Sequence, residues 1–201
     1  MKLKKYIGAL LAVVLLVAAD QVTKWLAVTH LMGKDPIVLW EGVFELSYLE
    51  NRGAAFGIFQ NQQIIFFILT LVIGVGLLWF YSRVPKDRHY FWLRLPVVVC
   101  FAGAIGNFID RVFQGYVVDF CYFKLIDFPI FNVADIYITC STVLFVILFL
   151  FKYRDEDFQF LSRKKADAQK KASDEEEHGA KSSHDCDDAH NEEDAHDGKE
   201  A

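Results

Sequence analysis

Four stretches of this 201-residue chain are close to the length at which a helix crosses a lipid bilayer, and they constrain the fold more than any other feature. A helix needs about 20 mostly apolar residues to traverse a hydrocarbon core roughly 30 Å thick. The stretches are residues 6–26, 64–81, 95–113 and 132–151. The second carries no charge; the third and fourth reach spanning length only with their polar ends included. A composition that is 54% hydrophobic and 15% aromatic, with mean hydropathy +0.24, excludes a wholly disordered chain. Blocks of this length, with nine of the nineteen Phe inside them, are hard to bury in one core surrounded by water, so the chain reads as a membrane protein.

Residues 1–19 also have the layout of a secretory signal peptide, with Lys2, Lys4 and Lys5 before an apolar run and Val17-Ala18-Ala19 as a cleavage site. Apolar character resumes past Asp20 at Val22, Trp25 and Leu26, so the segment is read as a retained span. An even number of spans puts both ends on one side. Lys and Arg set which side. The N-terminus has three, residues 82–94 hold Arg83, Lys86, Arg88 and Arg94, and the segment after Phe151 holds Lys152, Arg154, Arg163, Lys164 and Lys165. The opposite loops have only Lys34 and Arg52, then Arg111 and Lys124, so both termini are expected to be cytoplasmic.

In the first outer loop Phe44, Leu46 and Tyr48 alternate with Glu45 and Ser47, the period of a half-buried strand, and Ile37 to Trp40 before Gly42 could pair with it. Ala54, Ala55, Phe56, Ile58 and Phe59 form an apolar stretch too short to span, suited to lying in the interface. The expected fold is therefore an all-α membrane protein of four transmembrane helices with a small extracytoplasmic β-sheet. Residues 1–153 form the membrane domain. Residues 154–201 change to Lys, Ala, Asp, Glu, Ser and His, too little apolar surface to offset the entropy of ordering, and are expected to be a disordered cytoplasmic tail.

The tail explains the net charge of −5. Residues 172–201 hold 12 of the 26 acids and 2 Lys, which leaves 14 acids against 19 Lys and Arg in the rest. Neither balance points to nucleic acid. His178, His184, His190 and His196 recur every six residues, a spacing that matches no helix face or metal-ligand pattern, so a solvated tail is the reading. Cys100, Cys121, Cys140 and Cys186 show no C-x-x-C spacing, and no disulfide framework is expected.

The informative residues are charges set into or beside apolar blocks: Asp20 and Lys24 in the first, Asp110 and Arg111 in the third, Asp135 at the start of the fourth, and Asp119 between the last two. A carboxylate at mid-bilayer costs about 2.5–3.5 kcal/mol on insertion scales, less near the interface, so acids that persist there are functional candidates. Structural explanations stand beside the functional one. Asp20 and Lys24 have the spacing of an intrahelical pair. Asn107, Asp110 and Arg111 share a helix face and could tie the helix end to the loops. Asn132 and Asp135 fit a capping box, so Asp135 could serve only backbone donors. Asp119 lies in an apolar loop with no helix to cap, where a turn or an Arg111 pairing is the structural alternative.

Two carboxylates at one depth suit aspartyl hydrolysis, in which the ionised one takes a proton from water while its protonated partner donates to the carbonyl oxygen, with no cofactor and no metal. Outside the tail the only histidines are His30 and His89, expected on opposite sides of the membrane, so zinc, Ser/His and Cys/His designs lack partners. Ser47 with a membrane Lys is the remaining Ser/Lys option, and its surroundings offer nothing for it.

At these residues the chain closely resembles the lipoprotein signal peptidases, also called signal peptidase II. The matching motifs are Asp20-Gln21-Val22-Thr23-Lys24, Asn51-Arg52-Gly53-Ala54-Ala55-Phe56-Gly57, Gly106-Asn107-Phe108-Ile109-Asp110-Arg111 with Val117-Val118-Asp119-Phe120, and Phe131-Asn132-Val133-Ala134-Asp135, in the family's order from about residue 6 to 152. The resemblance implies a four-helix aspartyl endopeptidase of the bacterial cytoplasmic membrane. It cleaves prolipoproteins just before a diacylglyceryl-modified cysteine, works at the outer face, is monomeric, and is bound by the cyclic peptide globomycin. It implies Asp119 and Asp135 as catalytic, Asn51, Asn107, Arg111 and Asn132 lining the substrate site, and Asp20, Lys24, Gly103 and Asp110 supporting it. The loop with Asn51 and the interfacial stretch after it would form the cradle and lid, and the tail inherits no role. The rivals from other classes are a small proton-coupled transporter using the same acids as a relay, and a structural membrane protein in which Asp119 and Asp135 only cap and pair.

Overall fold

The structure, a computed structural model, describes residues 2–53, 63–158 and 160. The interfacial stretch at 54–59, the His-containing part of the tail and Cys186 lie outside them. The chain divides into two units, Met1–Arg154 and Asp155–Ala201, and within the second the described part contains the 3₁₀ turn Asp155–Phe158.

Among the described residues the first unit has four helices, α1 (Lys2–Leu31), α2 (Gln63–Arg83), α3 (Phe91–Phe113) and α4 (Val133–Phe151), and three strands, β1 (Ile37–Trp40), β2 (Phe44–Asn51) and β3 (Val117–Phe123). Each expected span falls on a helix. Among the described residues three stretches are long and apolar enough to cross a membrane, Tyr6–Leu31, Phe91–Phe113 and Val133–Phe151, and α2 adds the shorter apolar stretch Phe67–Arg83. The helix α1 runs well past the expected end at residue 26. Its 30 residues, about 45 Å at 1.5 Å each, pass without a break through Ala19–Asp20, the candidate cleavage point.

Helix α3 sits centrally and packs against the other three. Its small residues permit this. Ala102, Gly103, Ala104 and Gly106 are all buried, the side-chain economy by which helices in lipid approach closely. A Cβ added at Gly103 would lie 2.5 Å from the Ala134 carbonyl oxygen and 2.9 Å from Ile138 Cγ1. Because the nearest atom is backbone, Gly103→Val must force α3 and α4 apart. It is expected to cost about 1–3 kcal/mol or more, read as a lowered Tm in detergent micelles.

The strands form one antiparallel sheet in the order β1-β2-β3. The expected β1–β2 pairing is present, turned by Gly42 at φ +70°, a backbone conformation that glycine adopts without strain. Burial within β2 is the reverse of simple alternation. Glu45 is the buried residue, its carboxylate 3.1 Å from Lys124 Nζ, and Phe44, Leu46 and Tyr48 are half-buried against Ala27, Leu31, Val118 and Phe120.

The third strand corrects the sequence reading, which puts Asp119 in a loop. Val117–Cys121 are all buried, so β3 has none of the apolar–polar alternation that marks a half-exposed strand. The pairing of β2 with β3 contains one irregularity. Between Phe44↔Phe123 and Leu46↔Cys121 on one side and Leu49↔Asp119 and Asn51↔Val117 on the other, β2 carries one extra residue. Such a bulge re-aims every side chain beyond it. It puts Leu49 opposite Asp119 and, two residues on, turns Asn51 to the Asp119 face.

Candidate active site

The lowest layer of the site is a buried ion cluster. Lys24 Nζ lies 3.0 Å from Asp20 Oδ2, one turn back on α1, and 2.9 Å from Asp110 Oδ2 on α3. The expected intrahelical pair exists, and it is half of a larger arrangement. Each acid also holds a backbone. Asp20 Oδ1 accepts the Ala134 N–H at 2.9 Å, satisfying one of the otherwise unpaired donors at the start of α4, where the helix dipole favours an anion. Asp110 Oδ2 accepts the Val118 N–H at 3.2 Å, tying the end of α3 to the start of β3 through the tight turn at Gly115, φ +77°. The support is thus built one residue from each of the two aspartates above it.

Two residues of this layer have no role in the sequence reading. The amide of Gln21 donates to Asp110 Oδ1 at 2.9 Å and to the Gly106 carbonyl at 3.2 Å. A Cβ at Gly106 would lie 2.5 Å from Asp20 Oδ2, so only glycine lets the carboxylate in. Both stand inside the quoted motifs, next to candidate residues, but no spacing rule assigns them contacts across helices.

Above this layer Asp119 and Asp135 are joined through one residue. Asn132 Nδ2 donates to Asp119 Oδ1 at 2.6 Å, Asn132 Oδ1 accepts the Asp135 N–H at 3.0 Å, and the Asn132 N–H donates to Asp135 Oδ2 at 3.2 Å. The capping box read from the sequence is therefore formed. It uses one oxygen of Asp135. The other, Oδ1, accepts from Asn107 Nδ2 at 2.7 Å, so capping and a place in the site coexist. Asp119 Oδ2 accepts from Asn51 Nδ2 at 2.8 Å, across the sheet from beyond the bulge. Asn51 is steadied in turn, its Oδ1 accepting the Gly53 N–H at 3.0 Å.

Both aspartates line a cavity of about 740 Å³ bounded by residues of α2, α3 and α4, with Asn51, Asn107 and Arg111 also in its lining and Leu69, Ile73 and Ile138 among its apolar residues. Arg111 donates from Nη1 to the Asn107 carbonyl at 3.4 Å. The structure thus gathers all ten candidate residues of the sequence: Asp119, Asp135, Asn51, Asn107 and Arg111 line the cavity, Asn132 is buried behind it between the two aspartates, Asp20, Lys24 and Asp110 lie beneath, and Gly103 sits where α3 meets α4.

Asp119 is 1% exposed. Burial, followed by the negative charge of Asp135, pushes its carboxyl up from the usual aspartate range to about 7, against the pull of the Asn51 and Asn132 hydrogen bonds and of Lys24. Close to neutral pH such a group exists in both protonated and ionised forms. Acid and base can then be supplied by two side chains of the same kind.

Comparison with known proteins finds one family. The profile of the family described as signal peptidase (SPase) II matches residues 12–151. The lipoprotein signal peptidase of Streptococcus thermophilus (strain CNRZ 1066) is 47% identical over 142 residues, covering 70% of this chain and 90% of that protein. That of Streptococcus pneumoniae (strain ATCC BAA-255 / R6) is 41% identical over 150 residues, 74% and 95% of the respective chains. A solved structure described as a bacterial membrane enzyme superposes with a TM-score of 0.64 at 35% identity, over 71% of this chain and 87% of its own.

Proposed function

The chain belongs to the signal peptidase II family, a family of membrane proteases, and we propose that it removes the signal peptide from prolipoproteins by aspartyl chemistry at Asp119 and Asp135. The carrying observation is the buried carboxylate of Asp119 and the half-buried one of Asp135, held together through Asn132 at the wall of a cavity lined by residues of α2, α3 and α4. One is ionised and takes a proton from water as the oxygen attacks the scissile carbonyl carbon. The other, protonated, hydrogen-bonds to the carbonyl oxygen and stabilises the tetrahedral intermediate. Collapse breaks the C–N bond, and the leaving amine takes up a proton. Every proton comes from water or the pair, so the chemistry asks for no cofactor.

Asn51, Asn107, Arg111 and Asn132 line the substrate site, with Asp20, Lys24, Gly103 and Asp110 in support. The substrate is a diacylglyceryl-modified prolipoprotein whose acyl chains stay in lipid, and globomycin-type inhibitors occupy the same cavity. The distribution of Lys and Arg supports four spans with both termini in the cytoplasm and the site at the outer face of the bacterial cytoplasmic membrane. Residues 1–153 form the monomeric peptidase domain and residues 154–201 the acidic tail, with no nucleic-acid partner. The transporter alternative gains no support: the acids gather in one cluster, and α2 contains none of them.

A purified-protein assay tests this reading. A diacylated prolipoprotein peptide is expected to be cut immediately before the modified cysteine, and globomycin to block the cut; an intact peptide, or cleavage at another bond, refutes it. The pH profile is a separate prediction. With Asp119, raised to about 7, as the proton donor, its protonated form in the free enzyme is lost as pH rises through that value, so kcat/KM is expected to decline above about pH 7. A rate that stays level to about pH 9 would remove Asp119 as the proton donor.

A further inference from the structure

Lys24 is buried, and its ammonium has three hydrogens, each with an acceptor: Asp20 Oδ2 at 3.0 Å, Asp110 Oδ2 at 2.9 Å and Asn107 Oδ1 at 2.9 Å. The third contact has a consequence for the site above. A side-chain amide is polar at both ends, and the ammonium can be met only by its oxygen. The NH2 of Asn107 must then face the other way, where it donates to Asp135 Oδ1 at 2.7 Å. Turning the amide over would set NH2 against an ammonium and oxygen against a carboxylate, two repulsive contacts in a buried site.

Asn132 is committed in the same sense. Its NH2 donates to the same Asn107 oxygen at 3.1 Å and to Asp119 Oδ1 at 2.6 Å, while its oxygen is taken by the Asp135 N–H. One cation therefore sets the direction of both amides that bridge the carboxylates. The effect on the two acids is unequal. Asp135 receives an amide donor polarised directly by the ammonium and also a backbone N–H at the start of α4. Asp119 receives two neutral amide donors, from Asn51 and Asn132.

We propose that Lys24 is a positioning residue of the active site, which acts through Asn107 to keep Asp135 the ionised member of the pair and leave the proton on Asp119. Asp135 is then the base that activates water, and Asp119 the acid that serves the carbonyl oxygen. The assignment rests on the aspartyl reading above. The titratable and charged groups around this relay are Asp20 on α1, Asp110 and Arg111 on α3, Asp119 on β3, and Asp135 with Tyr137 on α4.

The test measures kcat and KM against pH for full-length enzyme with the diacylated peptide. Lys24→Met alone strands two buried acids and invites misfolding, so it is combined with Asp110→Asn, which keeps the charge of the cluster at about −1. This double variant is expected to lose about tenfold or more in kcat at pH 7 with KM little changed, and the acid side of its kcat profile is expected to move up by about one pH unit. Lys24→Gln, a neutral donor toward Asn107, is expected to fall between this variant and wild type. Lys24→Arg, which restores the cation, is expected to return the wild-type profile. Wild-type profiles in the double and Gln variants overturn the role of Lys24, as does a folded Lys24→Arg that behaves like the double variant. A wild-type enzyme that leaves the diacylated peptide uncut overturns instead the function on which the assignment rests.

Discussion

Asp119→Asn and Asp135→Asn are each expected to lower the rate of prolipoprotein cleavage by roughly 10²–10⁴-fold, the range associated with a positioned acid or base. Asn has nearly the shape of Asp, so the backbone around the site is preserved. An amide at position 135 can still accept the Asn132 N–H through its oxygen and keep α4 capped, but its NH2 then faces the NH2 of Asn107 and that contact is lost. An amide at position 119 offers one oxygen to two amide donors, from Asn51 and Asn132, so one of those contacts is lost. Both variants should therefore be slightly less stable than wild type, by about 1–2 kcal/mol, as well as much slower. Single-turnover cleavage of the diacylated peptide, with Tm recorded on the same sample, separates the two effects. Turnover within about threefold of wild type in either variant, far inside that range, would show that the pair is not the catalytic centre.

Asp20→Ala is expected to have the largest effect on stability, about 3–5 kcal/mol, because it breaks a buried pair by removing one partner. Asp20 is 0% exposed. Its loss leaves Lys24 with a single carboxylate and deprives the Ala134 N–H of its acceptor at the end of the helix that presents Asp135. The expected result is a sharp fall in Tm in micelles and little protein accumulating in the membrane. Asp20→Asn, which keeps an oxygen for Ala134, should recover part of the loss. Equal stability of Asp20→Ala and wild type would mean that α4 is held in place by apolar packing alone.

How legible each feature is in the sequence depends on how local it is. A long apolar helix is recognised within about 20 residues, so all four helices can be read directly. The pairing of β1 with β2 and the cap formed by Asn132 and Asp135 are likewise short-range and visible. The strand β3 is not, because a strand buried on both faces loses its alternating pattern. Its partner Asn51 stands 68 residues before Asp119, beyond the reach of any periodicity. Spacing can pair Lys24 with Asp20 but says nothing of Asp110 and Asn107, which reach Lys24 from a different helix. For those contacts the family motifs carry the expectation. They name the residues without naming the hydrogen bonds, which is why Gln21 and Gly106 stand in the motifs without a task until the helices are packed.

The extra residue in β2 between Leu46 and Leu49 links chain length to chemistry. Successive side chains of a strand point to opposite sides, so parity decides whether Asn51 meets Asp119 or turns its back on it. Loss or gain of one residue on this stretch would invert that parity while leaving the hairpin intact. Between Leu46 and Asn51, changes of length compatible with a working enzyme should therefore come in even steps.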